Sequence, residues 1–481
     1  MKKTIFILFI IIFAVALAGC SERISFENYT VSFDSMGGSA VPESAFSSIK
    51  TCPEPLKDGY VFEGWYEESD LSSEMVQFPY EATKNVTLYA KYIDIKTGNE
   101  EIKYALEGDV AVAVTYTGSS KNVVVPDFFE GKSVVKVASG FVKNINSISR
   151  FYFGSELKSI EEKFFIFPNF EEFVLLGKNE LFSVIDGILY SGTGDAIICF
   201  PRAKAPADGA FFLPEKVESI VKNAFRYADN IKVLNFGKNV RVIEEKFSYL
   251  SSLERINVDN EFFLSDDGVL YDASGKNLIA CPPNRVGSYT LIDSAERILD
   301  GALNGCRLEN LTVNAALADF GTQESMSSMK GFFCDGNPTY SAIDGVLYDV
   351  VSKKIVAYPA DKEGASFYLR GVETIGKNAF YSCKNLKELT VCADVKTVSQ
   401  FAFGYSSVEN IGFEENSSLE KIDSTAFFSS ENLKGVTLSS DVPPVFDCDE
   451  GVDFYFYVPP YAYDDYVSAW PDQYLALRKN V

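Results

Sequence analysis

An apolar pattern of the form L-x-x-L-x-L returns about every 22 to 25 residues along this chain. It stands at Ile148-Phe151-Phe153, Phe170-Phe173-Leu175, Ile231-Leu234-Phe236 and Leu253-Ile256-Val258. It returns at Leu308-Leu311-Val313, Leu386-Leu389-Val391, Val408-Ile411-Phe413 and Leu433-Val436-Leu438. A fixed short period predicts a solenoid, because each unit can bury its apolar face only against its neighbours. Such a coil offers an extended recognition surface in place of a closed catalytic pocket.

A second half-motif, I-x-x-x-A-F, precedes many of these phrases, at Ile220 to Phe225, Ile375 to Phe380, Val398 to Phe403 and Ile422 to Phe427. Ile160 to Phe165 and Ile298 to Leu303 keep that spacing with changed letters; Val137 to Phe141 and Ile243 to Phe247 are one residue shorter. A small alanine beside a large phenylalanine suits a tight corner between stacked coils. A longer period is superposed: Asp186 to Tyr190 recurs as Asp267 to Tyr271 and Asp344 to Tyr348, spaced by 81 and 77 residues. Each copy is followed by a short apolar stretch and a proline, Pro201, Pro282 or Pro359. The polar turn Tyr271 to Lys276 reads as a β-hairpin, and three such inserts are expected to project from one flank. The stretch from Leu317 to Tyr340, with Met326 to Lys330, fits no repeat and reads as a degenerate coil or a loop.

Residues 29–93 form a distinct β-rich module. Tyr29 to Phe33 alternates as a strand does, Gly37 and Gly38 supply a turn, Gly59 to Tyr66 is a glycine-bracketed aromatic centre, and Val86 to Tyr92 alternates again. Trp65 reads as the core anchor of a small domain. Residues 21–28 form a tether. Before it, Lys2 and Lys3 precede the apolar run Ile5 to Leu17, too short to span a bilayer. At the other end, residues 441–481 supply a cap, with Val458 to Tyr461 leading into Ala462 to Trp470; the last coil would otherwise expose an apolar edge.

Composition removes several functions. The net charge of −23 gives phosphate backbones no basic footprint, so nucleic acid is not expected as a partner. Without Lys2 and Lys3, 42 basic residues face 67 acidic ones, or −25. The chain has no histidine, which excludes Ser-His-Asp and Cys-His catalysis and imidazole metal sites. No phosphate-binding or nucleophile-elbow motif stands in a supporting context. The acid pairs Asp266-Asp267 and Asp464-Asp465 read as a turn and as a solvated helix face. No catalytic, cofactor-binding or metal-binding residues are therefore expected, and no enzyme activity. Cys306 and Cys383 follow matching segments and read as small buried hydrophobes; the cysteine spacing does not indicate a disulfide framework.

These residues carry three resemblances. Leu17 to Cys20 resembles the lipobox of bacterial lipoproteins, which implies a signal peptide over 1–20, cleavage before Cys20 and acylation there. Ser21 after that position favours the outer membrane where the host has one. Residues 29–93 resemble the Listeria–Bacteroides repeat, the B-repeat of internalins, which implies a β-grasp-like spacer or interaction unit. Residues 101–440 resemble the BspA-like leucine-rich-repeat family through both half-motifs and the D-G-[VI]-L-Y inserts. The fold expected is mainly β with few short helices: a leucine-rich-repeat solenoid preceded by a small β-grasp-like domain. The resemblance implies a non-catalytic adhesin, lipid-anchored at the bacterial surface, binding host or matrix proteins or other microbes. The alternative is an envelope scaffold or polysaccharide-binding component. Binding is expected through polar and aromatic side chains of the exposed sheet and the three hairpins, at residues the sequence leaves unknown.

Overall fold

A computed structural model describes residues 29–45, 47–446, 452–470 and 476–480. Contacts divide the chain into two compact units, one running to Glu100 and including Val124–Pro126, the other Glu101–Val123 with Asp127 onward.

In the first unit, strand Val31–Asp34 pairs in parallel with Val86–Asp94, which pairs antiparallel with Tyr60–Tyr66. Ser48–Ile49 and Tyr80–Glu81 form a second small pair. Trp65 is fully buried between Phe33 and Phe62, with ring centroids at 4.8 and 5.5 Å. Its indole N–H donates to the Pro53 carbonyl at 2.7 Å, so this is a core anchor with its polar edge satisfied. The double glycine has a packing reason: a Cβ on Gly38 would sit 2.1 Å from the Tyr92 hydroxyl.

The second unit is a stack of coils with two parallel ladders. The L-x-x-L-x-L phrases build the front ladder. Ala210–Phe212, Val233–Phe236 and Arg255–Val258 form one group; Val286–Thr290, Arg307–Val313 and Gly331–Cys334 form the next. Ser366–Leu369, Glu388–Val391, Asn410–Phe413, Gly435–Thr437, Tyr455–Val458 and Leu477–Lys479 form the last group, and Arg150–Phe153 pairs with Glu172–Leu175 ahead of them all. Period-two alternation turns one set of side chains inward. Leu234, Ile256, Leu308, Leu311, Val391, Ile411 and Val436 are all buried there. The isoleucine or valine that opens each I-x-x-x-A-F phrase builds the back ladder, as in Thr374–Ile375, Thr397–Val398 and Lys421–Ile422.

The alanine and phenylalanine of that phrase have separate tasks. Phe380, Phe403 and Phe427 stack ring on ring at 5.2 and 5.7 Å. The N–H of Phe380 donates to the Ala402 carbonyl, and that of Phe403 to Ala426, both at 2.8 Å. A residue larger than alanine would hold the coils too far apart for this bond. The same bonding settles the irregular phrases. Phe164, not Phe165, is the buried ring, so this phrase runs from Ile160 to Phe164, one residue shorter than the expected Ile160 to Phe165. It shares the string I-E-E-K-F with Ile243 to Phe247.

The D-G-[VI]-L-Y inserts differ from the expectation. Each is a three-stranded meander lying in the back ladder, such as Phe263–Asp266, Val269–Asp272 and Asn277–Ala280, and not a hairpin projecting from a flank. The turn Tyr271 to Lys276 is the second of its two turns. The first is Asp-Gly itself, with φ of 48° and 71° at Asp186 and Gly187, 45° and 85° at Asp267 and Gly268, and 50° and 77° at Asp344 and Gly345. Two successive left-handed residues make the two-residue turn that suits strand twist. Each turn reaches the edge of the front ladder, where a glycine carbonyl accepts a strand N–H: Gly187 from Phe173 at 2.9 Å, Gly268 from Ile256 at 3.0 Å, Gly345 from Phe332 at 2.8 Å. The front ladder is closed off at each of those points.

The unmatched stretch Leu317 to Tyr340 is a degenerate coil. Asp319–Phe320 and Gly331–Cys334 keep both ladders, and Met329 fills the core. At the C-terminus the helix Tyr463–Ala469 covers the last coil. Trp470 packs on Phe446, Phe456 and Tyr466 at 5.3, 5.0 and 5.1 Å and donates to the Pro444 carbonyl at 2.9 Å. Asp464 and Asp465 face solvent on that helix.

Candidate binding face

The outward side chains of the front ladder form two rows fixed by strand register. One row reads Ser366, Glu388, Asn410, Gly435 and Tyr455; the other reads Tyr368, Thr390, Gly412, Thr437, Tyr457 and Arg478. Neighbouring rungs bond to each other: Asn257 donates to Asn235 at 2.9 Å, Asn310 to Ser288 at 3.2 Å, and Asn410 to Glu388 at 2.8 Å. These ties hold polar side chains in a fixed array and reduce the entropy a partner would otherwise have to remove.

Large rings punctuate this array. Phe212 is 69% exposed, Phe333 53%, Tyr368 46% and Tyr455 44%. The Arg478 guanidinium lies 4.2 Å from the centre of the Tyr455 ring. At Gly412 the surface is low, since an added Cβ would meet nothing within 4 Å. Exposed aromatic and arginine side chains are the types that dominate recognition surfaces. A second aromatic strip runs along the corner of the coils, where Tyr405 lies 5.4 Å from Tyr381 and 5.6 Å from Phe428. Phe401 and Tyr405 hold φ of 50° and 55° there, while Gly301 and Gly305 occupy the matching positions of an earlier coil.

Charged groups outline the face. Glu409 lies between Lys387 at 3.5 Å and Lys434 at 2.5 Å, and the Lys434 ammonium holds its carboxyl below the usual range. Exposed pairs of this kind contribute little to stability. Asp267, at the second Asp-Gly turn, pairs with Arg285 at 2.5 Å and Arg255 at 3.1 Å, which makes the pair Asp266-Asp267 part of a turn, as its position in the repeat predicts. Cys306 and Cys383 are buried, as are Cys199, Cys281 and Cys392, and burial pushes the Cys199 thiol up to about 12. Among the described residues, no group of three or more cysteines and carboxylates converges on a metal position. Cys20 and its neighbours lie outside the described residues.

Sequence reasoning missed the asparagines that seat each meander. Asn260 Nδ2 donates to the carbonyls of Gly237 and Val240 at 3.0 and 3.3 Å, and its Oδ1 accepts from Phe262 and Phe263 at 2.9 and 3.0 Å. Asn179 and Asn337 do the same in the other two copies. Their spacing of 81 and 77 residues equals that of the Asp-Gly turns and was the available signal.

These coils, with their stacked leucine-type strands and asparagine ties, define a leucine-rich-repeat architecture. Residues 209–328 and 365–446 match the BspA type leucine rich repeat region in six copies, and residues 29–91 match the Listeria-Bacteroides repeat domain. The chain thus contains a BspA type leucine rich repeat region preceded by a Listeria-Bacteroides repeat domain.

A protein of Evansella cellulosilytica named "putative membrane protein" is 39% identical over 110 residues, which is 22% of this chain and 16% of that protein. Among solved structures, a leucine rich cell surface protein of Faecalibacterium prausnitzii is 17% identical, covering 72% of this chain and 89% of its own, at a TM-score of 0.34. A leucine-rich repeat protein of Eubacterium ventriosum is 17% identical over 59% of this chain and 78% of its own, at 0.37. The pneumococcal vaccine antigen PcpA is 16% identical over 80% of this chain and 98% of its own, at 0.33.

Proposed function

We propose that this chain is a non-catalytic, lipid-anchored bacterial surface protein that attaches to macromolecules through the front ladder. The observation that carries the reading is the set of exposed rings, Phe212, Phe333, Tyr368 and Tyr455, among hydrogen-bonded polar rungs. Isolated apolar rings on a rigid polar sheet give many small contacts that add over a large area, which suits adhesion to an extended partner. The partners expected are host extracellular or matrix proteins, or other microbial surfaces. Anchoring is assigned to acylation at Cys20, on the strength of Lys2, Lys3, the apolar run and Leu17 to Cys20. Outer-membrane placement follows from Ser21 where the organism has such a membrane.

The experiment compares intact bacteria with and without this gene on immobilised matrix proteins. It adds a strain carrying Phe212→Ser, Phe333→Ser and Tyr455→Ser together. Attachment that falls in both strains, with the variant displayed at normal level, supports the reading. Equal attachment by all three strains sinks it. Metabolic labelling with a palmitate analogue, lost on Cys20→Ala, tests the anchor separately.

A further inference from the structure

The three Asp-Gly turns sit at equivalent points of the coil, and two of them are closed by the chain's own cations. Asp186 pairs with Lys204 at 3.3 Å. Asp267 pairs with Arg255 and Arg285, and the break beside it is filled further by Tyr289, whose hydroxyl meets Asp266 at 3.0 Å and Tyr271 at 2.8 Å. The third turn lacks each of these parts. Gly331 occupies the place under Gly345 that Arg255 holds under Gly268. Phe367, without a hydroxyl, stands where Tyr289 does and turns its ring to Tyr358 at 5.0 Å. Lys362, three residues after Pro359 as Arg285 is after Pro282, makes no ion pair among the described residues. A hollow of about 430 Å³ is left open, lined by Asp344, Tyr348, Phe367, Tyr368 and Arg370 among others.

We propose that this hollow is a saccharide-binding site. Asp344 and Arg370 both face it and have no hydrogen-bond or ion-pair partner among the described residues. One is an acceptor only and the other a donor only, so together they match a ligand whose groups both donate and accept. Neighbouring hydroxyls of a sugar ring do that. A cationic or anionic side chain would be attracted by one of the two charges and repelled by the other. A purely apolar ligand would strip water from both without replacing its hydrogen bonds. Tyr368 is half exposed and Phe367 partly so, and their negative ring faces suit the C–H face of a pyranose. The volume falls within the range of small-ligand sites, which fits a short saccharide or the end of a longer glycan. The site rests on the reading of the front ladder as the binding face and names one chemical class that face would take.

The test titrates the purified protein with neutral hexoses, N-acetylhexosamines and their disaccharides, read by saturation-transfer NMR and calorimetry. The expected result is 1:1 binding of at least one sugar, weakened about tenfold or more by Arg370→Ala and by Asp344→Asn. Asparagine tolerates the left-handed backbone at that turn, so Asp344→Asn keeps the fold. Leu56→Ser, on the exposed surface of the first unit, leaves sugar binding unchanged. Absence of binding across the panel, or binding indifferent to both hollow variants, overturns the proposal. Protein that attaches to immobilised matrix but takes no sugar defeats this site and leaves the adhesive reading standing; sugar binding without attachment does the reverse.

Discussion

Gln323 Oε1 accepts the backbone N–H of Leu303 at 2.9 Å, doing with a side chain what an alanine carbonyl does in the regular coils. Glu245 serves Phe225 at 3.4 Å, and Glu162 serves Val142 at 2.9 Å. At these three places the following coil lacks the alanine of I-x-x-x-A-F, and a buried glutamate or glutamine supplies the acceptor. A buried N–H left without one would cost about 1–3 kcal/mol.

Glu245 gives this device a pH dependence. Burial pushes its carboxyl up to about 7 from 4.5, against the backbone N–H groups of Phe225 and Lys246 and the charge of Arg226. The folded value lies above the unfolded one, so this group's contribution is fully present below about pH 4.5. It is lost as pH rises through about 7. The displacement corresponds to about 3 kcal/mol at most. Glu245→Gln keeps the acceptor without the charge. The variant is expected to be more stable than the parent at pH 8, and the difference to vanish near pH 4. Urea unfolding of both proteins across that range checks it; a difference that does not change with pH defeats it.

Asn260 joins two coils through four hydrogen bonds, so Asn260→Ala is expected to lower stability by about 2–4 kcal/mol. Asn260→Asp keeps the acceptor toward Phe262 and Phe263 but faces the carbonyls of Gly237 and Val240 with a second acceptor. It is expected to be as harmful as alanine at neutral pH and milder in acid. Thermal melts at two pH values decide this.

Asp267 combines a strained backbone with exposed ion pairs, and substitutions separate the two. Asp267→Ala at φ 45° is expected to cost about 1–2 kcal/mol, since a left-handed backbone penalises a Cβ without a local hydrogen bond. Asp267→Gly relieves the backbone and loses only surface pairing, about 0–1 kcal/mol. Chemical denaturation that ranks glycine below alanine in stability would contradict this account.

Trp470 closes the open end of the stack. Trp470→Ala is expected to cost about 3–5 kcal/mol, by analogy with other buried aromatic truncations. Loosening the cap frees the strands Tyr455–Val458 and Leu477–Lys479, whose edges can then pair with another chain. Light scattering is expected to show concentration-dependent association of this variant and not of the parent.

The repeat and its core were legible because burial obeys a period: Leu308, Leu311 and Val313 could be placed inward from letters alone. The I-E-E-K-F phrases were less so. Phe164 and Phe165 are adjacent, and only the position of Glu162 against Val142 tells which ring turns in. The meanders were half legible. Asp-Gly is a strong turn signal, but Tyr271 to Lys276 offered a second turn, and pattern alone does not say which one meets the front ladder. The hollow at Asp344 was out of reach, since Gly331, Asp344 and Arg370 come from separate turns of the chain and mean nothing singly. The exposed rings Phe212 and Phe333 were hidden likewise, because phenylalanine also builds this core.

The Asp-Gly turns have one more consequence. Because each seals the strands before it, a block of coils ends in a finished edge and the next begins afresh. A gene for such a chain can lose or duplicate a block of about 80 codons and still encode segments that close properly. Diversity in what the protein grips would then accumulate by shuffling whole blocks, with no need to redesign the joints.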